Sequence, residues 1–237
     1  MADINAVNFK YITDWEGKLS KNPKDRAAAD PVPDGSGYHT NIGVTWSTFK
    51  TLAKQAGYVA TAALFYKMPK NIWLKIYKIG YWDPMNADNI KSQGIAELLV
   101  DWAWGSGPGT AARFVQRYLV KKGYKIKVDG AFGPQSTGAL NDAIQNFGAK
   151  QVFDDLFTIR LNFLKSLSDW SIFGAGWNSR MNALYAFASK ILANPVSPII
   201  IFAVVGVAFY LILSRTDLKP LFGSSNIQSV STAAMVV

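Results

Sequence analysis

The sequence contains no cysteine and a single histidine in 237 residues. Disulfides and thiolate metal centres are excluded, a lone His39 cannot build a histidine metal cluster, and no convincing Ser/His/Asp set is assembled around it, so that hydrolase chemistry ranks low. No metal and no cofactor is expected. There is no zinc spacing, no long basic run and no helix-turn-helix pattern, so no nucleic-acid partner is expected either. Gly105, Gly107 and Gly109 follow no strand and are not a dinucleotide fingerprint. The opening MADINAVNFK lacks the charged start and apolar stretch of a secretory signal.

What is present points to a folded, basic protein. Hydrophobic residues make up 49% of the chain and aromatics 14%, enough to fill a core. The formal net charge is +9, and beyond Lys190 only Arg215, Asp217 and Lys219 are charged. The positive charge therefore belongs to the preceding residues. A basic surface concentrates polyanions, with anionic lipid and the bacterial wall among them, or simply keeps the domain soluble.

Along the chain, Asp3 can cap a first helix with Ile4, Val7, Tyr11, Ile12 and Trp15 on one face, ending near Glu16. Residues 20–38 are rich in Pro, Asp and Gly and read as loop. HTNIGVTW at 39–46 reads as a short strand, with Thr45 capping a helix that buries Phe49, Leu52, Ala53 and Ala56. Helices are predicted around 59–67, 71–79 and 94–104, and another from Pro108. KVDGAFGPQST is a turn, with Ser136 as cap of a helix reaching Phe147. A helix over about 151–167 and a further turn and helix around 174–187 complete this part. Residues 191–214 are uncharged and long enough to cross a bilayer core.

Glu16 is the first candidate for chemistry. A carboxyl at the end of an apolar helix, facing a polar loop, can be desolvated, which raises its pKa as a general acid requires. On position alone a glutamate near a helix end is more often a solvated surface residue. Asp25 and Thr40 lie just beyond. Glycosidic cleavage uses a protonated acid together with a carboxylate that orients water or stabilises the developing cation, and a hydroxyl on a facing strand can help hold that water.

The order of motifs extends this. W-E-G-K at 15–18, N-P-K-D at 22–25 and G-S-G-Y-H-T-N-I-G-V-T-W at 35–46 resemble the start of the glycoside hydrolase family 108 muramidases, within the lysozyme superfamily. I-Y-K-I-G-Y-W-D-P at 76–84, D-W-A-W-G-S-G-P-G-T-A at 101–111, V-D-G-A-F-G-P-Q-S-T at 128–137 and G-W-N-S-R at 176–180 resemble later blocks of that family, and 128–137 is similar to the repeat of peptidoglycan-binding helical modules. The resemblance implies a mainly α (α+β, lysozyme-like) fold with a small β-hairpin at the active site, and hydrolysis of the β-1,4 bond between N-acetylmuramic acid and N-acetylglucosamine. Glu16 carries over as the acid and Thr40 as its hydroxyl partner. Counting forward from Glu16 makes Asp25 the second carboxylate, and counting back from Thr40 makes it Asp34; Asp25 is placed first, leaving Asp34 as a turn residue capping its own backbone. Lys18 and Leu19 stand where the family shows Gly and Tyr.

Tyr38, His39 and Asn41 around Thr40 are candidates for substrate contact. Among Tyr81, Trp82, Trp102 and Trp104, which could stack on sugar rings, Trp82 and Trp102 are selected. His39 is otherwise expected to be solvent-exposed. The expected organisation is a catalytic region over 1–93, a helical peptidoglycan-binding-like region over 94–190, a linker over 191–198, a transmembrane helix over 199–214 and a flexible tail over 215–237. Expected partners are peptidoglycan, a lipid bilayer and, for a phage enzyme carried in a membrane-containing virion, virion proteins. The rival location is a bacterial inner membrane. The competing activities are a lytic transglycosylase, which needs only the glutamate, and a non-catalytic wall-binding membrane anchor.

Overall fold

The computed structural model describes residues 1–7 and 17–193. Glu16 and the uncharged run over 199–214 lie outside the described residues. Met1–Leu192 form one compact unit. Among the described residues no helix is long and apolar enough to cross a membrane.

The order of elements follows from capping chemistry. Asp3 accepts from the Asn5 amide and starts a short 3-10 turn over Ile4–Ala6. A hairpin of β1 (Thr40–Asn41) and β2 (Val44–Thr45) leads straight into α1 (Trp46–Gln55), whose first turn is capped by the Thr45 hydroxyl accepting from the Thr48 amide. Thr61 caps α2 (Ala62–Lys67) in the same way, and α3 (Lys70–Tyr77) follows. Ser92 caps α4 (Gln93–Ser106). Proline at the first position opens both α5 (Pro108–Lys121) and α6 (Pro134–Phe147), where its missing N–H costs no helical bond. The last two are α7 (Ala149–Lys165) and α8 (Trp170–Ala193). Two junctions, α4 to α5 and α6 to α7, are single glycines, Gly107 and Gly148, at φ 83° and 84° with ψ 143°. That backbone region is closed to residues with a Cβ.

Three expectations are corrected. The strand read over 39–46 is two strands, because Ile42 and Gly43 take φ 45° and 70° and reverse the chain between them. α6 starts at Pro134, with Gly133 rather than Ser136 at its cap; Ser136 is buried one turn inside and accepts from the Gln116 side chain. The turn and helix read around 174–187 are part of one unbroken α8.

The DGAFG segment is organised by Gln116. Its Nε2 donates to Asp129, to the Ala131 carbonyl and to Ser136, and its Oε1 accepts from the Gly130 amide. One buried amide group thus ties this turn to α5, which makes the motif structural in the first place.

α4 is the axial helix. Gly94–Ala103 are all buried, as a helix packed on every side requires. It carries two carboxyls inside the protein. Asp101 pairs with Arg160 of α7 and Arg180 of α8. Glu97, one turn earlier and 4% exposed, accepts from Gln93; burial, reinforced by the Asp101 charge, raises its pKa to about 7. The folded state holds this proton more tightly than the unfolded chain. The associated stability is complete below about pH 4.5 and is lost as pH rises through about 7. Glu97→Gln, which keeps an oxygen for Gln93, should therefore match the parent at pH 4 and be more stable at pH 8 by about 3 kcal/mol. Chemical denaturation at the two pH values measures this. A constant difference across the range would overturn it.

Candidate active site

The hairpin is the centre of the site. Thr40 pairs with Thr45 and Asn41 with Val44 in antiparallel register, and the Ile42–Gly43 turn has positive φ at both positions, as in a type I′ hairpin. A β-branched residue there is strained. The strained turn is held from behind by the Trp73 indole, which donates to the Ile42 carbonyl at 3.0 Å. Asn41 is 4% exposed and donates to the Phe65 and Tyr66 carbonyls. It fastens the hairpin to α2 and does not face substrate, contrary to expectation.

The outer edge of the hairpin is joined to the segment that follows Glu16. The Ser20 amide donates to the Thr40 carbonyl at 2.9 Å, and the His39 amide donates to the Ser20 carbonyl at 3.0 Å. Ser20 thus forms an isolated antiparallel bridge to Thr40 at the edge of the hairpin. His39 is fully buried, so the expectation of an exposed imidazole is overturned. Its Nδ1 lies 2.9 Å from the Thr40 hydroxyl and its Nε2 3.1 Å from the Asn22 carbonyl. The same Asn22 carbonyl accepts from the Asp25 amide at 3.0 Å. A hydrogen-bonded chain therefore runs from Thr40 through His39 to the turn that carries Asp25.

The two candidate carboxylates differ in environment. Asp25 is exposed and caps a 3-10 turn over Arg26–Ala29, its Oδ1 accepting from the Ala27 amide at 2.9 Å. Its Oδ2 makes no hydrogen bond among the described residues. Asp34 has both oxygens engaged: Oδ1 accepts from the Ser36 amide, and Oδ2 from the Tyr66 hydroxyl at 2.5 Å. Hydrogen bonds from Ser36 and then from Tyr66 hold its carboxyl down at about 2. Burial and the neighbouring Asp34 push the Tyr66 phenol up. Tyr38, half-buried, meets Tyr66 edge-on at 6.0 Å and lies under the Lys21 ammonium.

The aromatic assignments also change. Trp82 and Trp102 are both fully buried. Trp82 turns inward from a π-helical turn over Lys78–Trp82 and donates to Asp88. Trp102 packs against Phe114 and Phe163. Neither can stack on a sugar. Their neighbours Tyr81 and Trp104 are half-buried, lie 4.7 Å apart between ring centres, and line an open groove of about 420 Å³. The other wall of that groove is the first turns of α1, with the hydroxyls of Ser47, Thr48 and Thr51. α1 begins one residue after Thr45, the partner of Thr40, so this wall of the groove follows directly on the hairpin in the chain. Ring faces opposite hydroxyls suit a saccharide, which is apolar on one side and polar at its rim. Trp104→Ala should raise KM for wall fragments about tenfold with kcat changed less than threefold, as loss of a binding contact does; steady-state kinetics on purified glycan strands measures it.

Among the described residues, no group of three or more His, Cys, Asp or Glu could hold a metal ion.

A mainly helical body with a small two-stranded hairpin fits a lysozyme-like glycoside hydrolase, and the comparisons agree. Residues 9–107 match the glycosyl hydrolase 108 family, and residues 110–182 match the predicted peptidoglycan domain. The structure is similar to that of SagA from Brucella abortus, with 25% identity and a TM-score of 0.58 over 76% of this chain and 91% of that one. Among curated proteins none matches. The chain thus carries a glycosyl hydrolase 108 domain followed by a predicted peptidoglycan domain, and the enzyme is a peptidoglycan hydrolase.

Proposed function

We propose that the enzyme is an N-acetylmuramidase that cleaves the β-1,4 bond between N-acetylmuramic acid and N-acetylglucosamine. Glu16 protonates the departing oxygen, and Asp25 with Thr40 orients the attacking water or stabilises the oxocarbenium-like state. The observation that carries this reading is the Ser20–Thr40 bridge. Glu16 precedes Ser20 by four residues, so connectivity alone keeps their Cα atoms within about 14 Å. The chain from Thr40 through His39 and Asn22 to Asp25 supports Asp25 as second carboxylate, and its open Oδ2 leaves an acceptor for water. Asp34, with both oxygens occupied, suits a brace between its loop and Tyr66.

Mass spectrometry of the products tests the reaction. Ordinary reducing ends are expected. Anhydro ends would show that the substrate's own 6-hydroxyl replaces water, the lytic transglycosylase outcome.

We further propose that the uncharged run over 199–214 anchors the enzyme in a bilayer. The support is that it lies within the uncharged run of 24 residues over 191–214, about the length that crosses a bilayer core. Flotation of the full chain with phospholipid vesicles should persist at high salt, whereas a purely electrostatic association is released. A wall hydrolase on a membrane stalk suits local opening of the wall by a membrane-containing phage, with virion proteins as neighbours. Detection of the polypeptide in purified virions is the expected result, and virions without it would refute the placement.

A further inference from the structure

We infer that His39 is a positioning residue that fixes the Thr40 hydroxyl as a hydrogen-bond acceptor facing the reaction site. This rests on the reading that Thr40 takes part in catalysis.

The assignment comes from donors and acceptors. The partner of His39 Nε2 is the backbone carbonyl of Asn22, 3.1 Å away, and a carbonyl oxygen can only accept. In the neutral ring Nε2 therefore bears the proton, and Nδ1 is left as a bare acceptor. The partner of Nδ1 is the Thr40 hydroxyl at 2.9 Å. That hydroxyl has one proton, and it goes to Nδ1. Its lone pairs are left to accept and have no proton to give. The tautomer of the neutral ring is thus assigned from the network. Full burial of the ring and the bond from the His39 amide to Ser20 keep the imidazole from turning away. The Asn22 carbonyl also binds the Asp25 amide, so the group that sets the tautomer belongs to the carboxylate's own turn.

The chemical consequence concerns water. A water that donates one proton to Thr40 Oγ1 and the other to a carboxylate has both protons directed to the protein and a lone pair free to attack. If the Thr40 hydroxyl could rotate, it would instead donate to that water, tying up one of its two lone pairs and leaving one of its protons without an acceptor at Thr40. His39 removes that alternative. No bond is made or broken at His39 itself.

Two substitutions separate this role from a merely structural one. In His39→Asn the amide oxygen falls near the position of Nδ1 and can accept from Thr40, while the link to Asn22 is lost. In His39→Gln the amide nitrogen falls near Nε2 and can donate to Asn22, while the acceptor for Thr40 is lost. With the full chain acting on purified wall, we expect His39→Asn to keep kcat within about threefold of the parent. His39→Gln should lose ten- to a hundredfold in kcat at unchanged KM. Thr40→Val should lose as much, and the double variant His39→Gln/Thr40→Val no more than Thr40→Val alone, since the two act as one unit. Retained kcat in His39→Gln, or losses that multiply in the double variant, would overturn the proposal. Full activity of Thr40→Val would instead overturn the catalytic reading of Thr40, a separable failure.

A further measurement needs no substitution. His39 is the only histidine, so its ring nitrogens give one unambiguous pair of ¹⁵N resonances. The pattern of an Nε2–H tautomer is expected for the neutral ring, and an Nδ1–H pattern would overturn the assignment even if the variants fail to fold.

Discussion

Replacing Asp101 by asparagine should destabilise the protein by about 3–5 kcal/mol, the cost of leaving buried charge uncompensated. The carboxylate lies in the interior of α4, its side chain 5% exposed, with Arg160 Nη2 at 2.5 Å and Arg180 Nη2 at 2.7 Å. Burial alone would push its pKa up, but the guanidinium groups of Arg180 and then Arg160 outweigh it and hold the carboxyl at about 2. The pairing therefore contributes fully above about pH 4 and is lost only as pH falls through about 2. Arg160 also donates to the Leu98 and Asp101 carbonyls, so it is held against α4 and cannot swing out to water. Asparagine would offer it one neutral oxygen in place of a charge. At pH 7 the melting temperature should drop by roughly 10 °C or more. The informative contrast is Asp101→Leu with Arg160→Met and Arg180→Met together. Removing all three charges deletes the desolvation cost with the attraction, so this variant should lie much closer to the parent. A single Asp101→Asn within 1 kcal/mol of the parent would mean that the triad is hydrated, contrary to its burial.

The largest effect on activity is expected at Glu16. On the proposed mechanism Glu16→Gln removes the proton the leaving oxygen needs, and general acid catalysis is worth about 10²–10⁴ in rate. Clearing of purified wall should fall at least about a hundredfold, with thermal unfolding and wall binding unchanged. Asp25→Asn is expected to cost about tenfold or more in kcat. Asp34→Asn should act on stability through the loss of a charged acceptor for Tyr66 and Ser36. Equal clearing by Glu16→Gln and parent would remove Glu16 from the mechanism. If Asp34→Asn proved the slower of the two aspartate variants, the second carboxylate would move to Asp34. A parent that binds wall without clearing it would favour the anchoring role.

Local chemistry was legible in the sequence. Thr45 as a helix cap, proline at the start of α5, the glycine turn at 128–137 and the mainly helical class with a small β element all depend on residues within a few positions of one another. The motif order gave the enzyme class for the same reason. A chemical site constrains residue types at fixed short spacings.

Facing could not be read so locally. Trp82 and Tyr81 are adjacent, and Trp102 and Trp104 are two apart, so on a helix they point about 100° and 200° from each other. At most one of each pair can look into a groove, and the sequence marks both alike. The π-helical turn that swings Trp82 inward and the packing of Trp102 on Phe114 and Phe163 decide it. His39 is the same case: a polar side chain after a glycine-rich loop reads as exposed until Asn22 and Thr40 supply its partners. Gln116 and the Asp101 triad join residues far apart in sequence and leave no local trace. The sequence by itself determined which chemistries this protein could carry and the class of most of its elements. Only the tertiary structure decided which side chains meet, because burial and hydrogen-bond pairing arise between segments that have no periodicity in common.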